Sequence, residues 1–153
     1  MLASPSCRGG RDPRDMTAKH PLIIPFLDHC HIERPEPVPG SGECTAWFDP
    51  RPELMNSMGM AHGGLVMTLM DAAMGGACRS SQPEGTSVVT IDMQSQFLAP
   101  ARGRITATAK VARASATLIF AECEVRGGNG DLVAKATGLF RPVDRARMSR
   151  GRS

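Results

Sequence analysis

The chain has 153 residues, 41% hydrophobic and 22% charged, with a formal net charge of +3. That predicts one domain, large enough to bury roughly two-thirds of its extended surface. No apolar run approaches the ~20 residues of a membrane span, and the mild charge lacks the patterning of a nucleic-acid binder.

Arg8, Arg11 and Arg14 cluster near the start, and Arg145, Arg147, Arg150 and Arg152 near the end. Both clusters read as solvated tails rather than a binding surface. The five cysteines, at 7, 30, 44, 78 and 123, show no CxxC spacing. Free, mostly buried thiols in a reducing, cytoplasmic setting are the simplest expectation. The first residues hold no hydrophobic core of a secretory signal. Tyrosine is absent and tryptophan occurs once, so the core must rest on Leu, Val, Ile, Met and Ala.

Residues 1–19, rich in Gly, Pro, Ser and Arg, are expected to be a disordered extension. A domain is expected over 20–142, with a basic disordered tail over 143–153. His20 to His29 suggests a short helical turn whose regularity Pro25 limits. Asp28, His29, Cys30 and His31 have ligand chemistry, but helical neighbours fan apart. No second cluster completes a tetrahedral set, so a surface patch is expected and no metal. Ile32 to Gly42 is proline-rich and irregular, and Glu43 to Asp49 reads as the first strand.

A polar loop, Asn56 to Gly64, then feeds a helix predicted from about His62 to Cys78. Leu65, Leu69, Ala72 and Gly76 form one apolar stripe, and Val66, Met70, Ala73 and Ala77 the next, so most of this helix should be enclosed. The remaining stripe, Gly64, Thr68, Asp71, Gly75 and Cys78, is small or polar and suits close approach of another backbone. An acid there is costly without a purpose. Met67, Met70 and Met74 with Gly75 and Gly76 suggest a roomy apolar channel.

Four strands are predicted next. In Thr86 to Phe97, Val89, Ile91, Met93 and Phe97 alternate with Thr90, Asp92, Gln94 and Gln96. Arg104 to Arg113 and Thr117 to Val125 follow. Gly127-Gly128-Asn129-Gly130 marks a hairpin into Leu132 to Arg141, which Pro142 should end. Strand, long buried helix and four antiparallel strands make an α+β domain with one enclosed helix.

Glycines at a helix start leave backbone N–H groups that favour developing negative charge. Gly63 and Gly64 stand there, with Asp71 further along, so the stretch reads as an acyl-transfer site. His62 and Asp71 lie nine residues apart, about 13 Å of rise and two and a half turns. They point to roughly opposite sides of the helix. If both serve one reaction, a second copy of the chain has to supply one of them.

The element order and the pattern Asn56-x5-His62-Gly63-Gly64-x6-Asp71 resemble the hotdog-fold acyl-CoA thioesterases of the PaaI type. The likeness spans roughly Pro25 to Pro142. It implies an antiparallel sheet wrapped around one long helix, and hydrolysis of an aryl- or medium-chain acyl-CoA with no cofactor beyond the substrate's coenzyme A. It also implies a homodimer or homotetramer with the site at the subunit interface. Asp71 is then base or nucleophile and the Gly63 N–H polarises the thioester carbonyl. His62 and Asn56 position the loop, and Thr90 orients water. Gly64, Phe97, Pro100, Ala101, Arg102, Arg113, Ser115 and Thr117 fall where relatives contact substrate or coenzyme A, although the turn has Ala and Ser where many relatives have Gly. A non-catalytic acyl-CoA-binding protein on the same fold remains an alternative. A hydratase fits less well, because the Asp–His motif it relies on is missing.

Overall fold

The computed structural model describes residues 24–146. The expected extension over 1–19 and most of the basic tail lie outside them. The first element is a short helix, α1 (Pro25–His29), with Pro25 at its first turn, where a missing N–H costs nothing. Strand β1 (Glu43–Phe48) follows, then a 3-10 turn over Pro52–Leu54 and the long helix α2 (Gly63–Ser80). Strands β2 (Thr86–Phe97), β3 (Ile105–Ala114), β4 (Ile119–Arg126) and β5 (Leu132–Asp144) complete the domain.

All five strands join one antiparallel sheet in the order β1-β3-β4-β5-β2. The helix touches every strand. Val66, Leu69, Met70, Ala73, Met74, Ala77 and Cys78 are almost fully buried on its inner face, against Phe48, Ile105, Ile119, Val125 and Phe140. Between these larger residues the sheet offers the helix rows of mostly small side chains. Ala46 and Ala107 pair across β1 and β3, and Ala107 with Val125 and Val125 with Ala134 continue the row. Cys44, Ala109, Cys123 and Ala136 form the next row.

Three expectations need correction. Pro142 does not end the last strand, since β5 runs on to Asp144 and Pro142 pairs in register with Val88. The reason is that β4 stops at Ile119, opposite Phe140. Beyond that point β5 has a neighbour on one side only, and a proline is tolerated at such an edge. Cys78 does not belong to the polar stripe; it is fully buried in the core. Of the three channel methionines, Met70 and Met74 are core, and only Met67 is exposed.

The alternation expected along β2 also breaks. The register with β5 shifts between Thr90 and Asp92, which leaves Ile91 as a bulged residue with 53% exposure. An extra residue in one strand reverses the facing of everything after it. Thr90 and Met93 therefore both turn toward α2 although they are three residues apart. Val88 and Met93 pack on the core, while Phe97 is half exposed.

Candidate active site

Helix α2 begins with a histidine cap. His62 is extended, and its Nδ1 accepts from the Gly64 N–H at 3.0 Å. That bond leaves Nε2 as the protonated ring nitrogen in the neutral imidazole. It also occupies the Gly64 N–H, so of the two glycine amides only that of Gly63 remains for a ligand. Gly63 is the first helical residue, where no intrahelical acceptor exists.

The loop before the cap is tied off by Asn56. Its Oδ1 accepts from Met58 N at 2.9 Å and Met60 N at 3.2 Å. Its backbone N–H donates to Met60 O at 2.8 Å. Gly59 turns inside this loop at φ +67, a conformation side chains rarely adopt. The side-chain NH₂ of Asn56 stays outside these bonds. Ala61 N donates to Ala101 O and His62 N to Leu54 O, which seat the loop on its neighbours. Ala101 is thus a buried anchor for the loop.

The acid lies two turns further along. Asp71 is half-buried, and its Oδ1 accepts a 2.7 Å hydrogen bond from Thr90 Oγ1 on β2. Behind it sits Cys78, whose thiol is pushed up to about 12 by burial first and by the Asp71 charge second.

The candidate residues that line clefts fall into three groups. Asn56, Gly63, Phe97, Pro100 and Ala101 line one cleft at the start of α2. Phe97 covers Gly63, its ring 3.8 Å from where a side chain on that glycine would begin. Asp71 and Thr90 line a second cleft of about 570 Å³ together with Gly64, Thr68 and Gly75. His62 faces a third cleft shared with His29, Cys30 and His31. Asp71 and Gly63 share none of these three clefts.

The sheet register explains the separation. Ile119, Phe140 and Thr90 form one row across β4, β5 and β2, so the β3–β4 turn lies at the Thr90 end of the sheet. Arg113 at the end of β3 and Ser115 and Thr117 in that turn are all exposed. Ser115 Oγ closes it by accepting from Leu118 N at 3.1 Å and Thr117 N at 3.4 Å. Phe97 pairs with Ala134 at the other end, and the Arg102 carbonyl accepts there from Gly128 N at 2.9 Å. Arg102, Arg113, Ser115 and Thr117 line none of the three clefts. From Thr90 to Phe97 the strand spans about 20 Å.

Two arginines in the Asp71 cleft were not foreseen. Arg34 and Arg79 line it with Phe26, Met67 and Phe140. Arg79 pairs with Glu36 at 2.6 Å, and this contact holds the Glu36 carboxyl below the ordinary range. Nothing in the proline-rich sequence around Arg34 signals that it folds back onto α2. Among the described residues no three His, Cys, Asp or Glu side chains converge as a metal set. No helix among them is long and apolar enough to cross a membrane.

One long helix held in the curl of an antiparallel sheet, with a glycine loop at its start and an acid on its outer face, defines the hotdog class. The family model described as "Thioesterase superfamily" matches residues 58–134. The matched region includes the cap, the glycines, Asp71 and Thr90. A conserved protein of Pseudomonas aeruginosa superposes with a TM-score of 0.74 at 29% identity, covering 82% of this chain and 99% of that one. The PaaI phenylacetic acid degradation protein of Thermus thermophilus, solved as a mutant, gives 0.68 at 25% identity over 77% and 98%. A Halobacterium salinarum protein with a provisional esterase name is 44% identical over 69 residues, 44% of this chain and 46% of that protein. The match thus spans about half the length of that curated relative. The chain belongs to the thioesterase superfamily, as a PaaI-like member with the hotdog fold.

Proposed function

We propose that the protein hydrolyses acyl-CoA thioesters, of aryl or medium-chain acyl groups, at a site completed by a second copy of the chain. The observation that carries this reading is the split of the candidate residues between two ends of one sheet. Strand β2 is an edge strand of twelve residues with Ile91, Phe97 and the adjoining Leu98 exposed. Long exposed edges invite pairing with another strand. Two copies of β2 running antiparallel, centred near Met93 and Gln94, set Thr90 of one copy opposite Phe97 of the other. Asp71 of one copy then approaches the Gly63 amide of the other. Such a pairing also covers the open Gly64, Met67, Thr68 and Asp71 face of α2.

In this arrangement the thioester carbonyl oxygen points at the Gly63 N–H, where the helix start favours the forming oxyanion. Asp71 takes the proton of the attacking water, or attacks the carbonyl carbon itself. Thr90 fixes the carboxylate by occupying one oxygen. The carbon–sulfur bond breaks and coenzyme A leaves as the thiol after taking up a proton; the acyl group leaves as a carboxylic acid directly on the water route, or after water cleaves the mixed anhydride on Asp71 on the nucleophile route. His62 acts by holding the cap and Asn56 by holding the loop, with its NH₂ directed to the thioester. Arg102 and Arg113 supply charge for coenzyme A phosphates from the two sheet ends.

The test is a panel of acyl-CoA thioesters with a thiol reagent, run on the wild type and on Asp71→Asn. Release of coenzyme A that disappears in the variant supports the hydrolase. Binding without release favours an acyl-CoA-binding protein, and loss of an enoyl absorbance favours a hydratase.

A further inference from the structure

We propose that the Asp71 cleft selects acyl groups that end in a carboxylate, which Arg34 and Arg79 receive. This rests on the thioesterase reading and specifies its substrate class. Much of the cleft wall is apolar, with Ile24, Phe26, Leu27, Met67, Met93 and Phe140 in it, and its neutral polar groups are the hydroxyls of Thr68, Ser87 and Thr90. Its ionisable lining is the acid Asp71 and the two guanidinium groups.

The cations sit on the C-terminal side of the acid. A side chain added to Gly76 would begin 3.0 Å from Arg34 Nη1 and 2.5 Å from Cys44 Sγ. The absence of that side chain is what lets the Arg34 guanidinium lie against the helix. Gly76 is five residues beyond Asp71 and Arg79 eight, so the cations stand about 7–12 Å further along the axis. An extended chain of about six carbons, starting at a thioester beside Asp71, brings its far end to them.

The two guanidiniums also carry unused donors. Arg34 Nε and Arg79 Nη2 are shielded from solvent and, among the described residues, have no hydrogen-bond partner. Buried donors without acceptors are costly and uncommon. Glu36 answers only one edge of Arg79, through Nη1. A planar carboxylate matches the fork of a guanidinium. A water in the same place would accept with less charge than a carboxylate does.

Hexanoyl-CoA and adipoyl-CoA have the same acyl length and differ in the terminal carboxylate. The ratio of their kcat/KM values is measured on the wild-type chain and on Arg34→Met, Arg34→Lys and Arg79→Met. The expected wild-type ratio favours adipoyl-CoA by roughly tenfold or more, the scale of hydrogen bonds to charged groups. It falls to about one in Arg34→Met, while Arg34→Lys, which keeps the charge without the fork, lies between. A wild-type ratio at or below one overturns the proposal while leaving hydrolysis of hexanoyl-CoA intact as evidence for the enzyme. A preference that survives both Arg34→Met and Arg79→Met overturns it as well. If no thioester is cleaved, the thioesterase reading fails. Calorimetric binding of the two thioesters to the same proteins then decides the carboxylate subsite on the same ratio. If the methionine variants do not fold, the wild-type ratio and Arg34→Lys decide it.

Discussion

Thr90 Oγ1 donates a 2.7 Å hydrogen bond to Asp71 Oδ1, tying the middle of the central helix to the edge strand of the sheet. This bond holds one carboxylate oxygen in place and leaves the other outside it. Thr90→Val is expected to lower kcat by about 10–100-fold, as loss of a bond to a charged group implies, with little change in KM. Thr90→Ser should restore most of the rate. Asp71→Asn should cost more, on the order of 10²–10⁴-fold, the range of a positioned acid or base. Steady-state kinetics on the three variants checks this, and a Thr90→Val enzyme with the wild-type rate would count against a role for the bond.

Asp71 and His62 lead to a complementation experiment. Asp71→Ala and His62→Ala chains are each expected to be nearly inactive alone. Mixed and refolded together, half of the dimers are mixed, and each mixed dimer regains one intact site if the pairing is twofold. The expected recovery is about a quarter of the wild-type rate. Verified heterodimers with no recovery would show that the acid and the capped loop do not serve one reaction across an interface.

Much of this site is written locally. The helix is announced by its apolar period, and its cap by a histidine followed by two glycines. The extent of β2, Thr86 to Phe97, follows from alternation and a flanking turn. What escaped was set by partners distant in the chain. The bulge at Ile91 answers to β5, and Pro142 is admitted because β4 has already ended. Arg34 lies in a segment with no period at all, and only its approach to Gly76 gives it meaning. The division of the candidate residues between the two sheet ends was legible only as opposed directions on one helix. The register showed how far apart they lie.

Adjacent glycines in α2 should respond differently to a methyl group. At Gly75 a new Cβ meets Phe140 at 3.8 Å, an ordinary contact. At Gly76 it meets Cys44 Sγ at 2.5 Å. Gly75→Ala is expected to be neutral or stabilising by up to about 1 kcal/mol, since alanine is the better helix former. Gly76→Ala should destabilise by about 1–3 kcal/mol through overpacking. Urea unfolding of both variants tests the contrast, and equal midpoints would contradict this packing.

Two thiols offer a pH test. Burial above all pushes Cys78 and Cys123 up to about 12, against 9.0 for a free thiol on the same scale. Because the folded values are raised, the native state holds these protons more tightly than the unfolded state. The stability tied to them is complete below pH 9 and is lost as pH rises toward about 12. The thiolate is the reactive form. Labelling with a disulfide reagent at about pH 8 should therefore leave Cys78 and Cys123 unmodified in the folded protein and reach both in guanidinium. Rapid modification of Cys78 under native conditions, located by peptide mass, would contradict its burial.

The alanine rows under the helix set a limit on how this molecule can change. Alanine has no rotamers, so between the larger core residues Phe48, Ile105, Ile119 and Phe140 these positions cannot adjust by turning a side chain. Widening any of Ala46, Ala107 or Ala134 would lift the helix and carry Asp71 out of reach of Thr90. New substrate preferences therefore have to be written on the rim, in residues such as Phe26, Arg34 and Met67, and not in the floor.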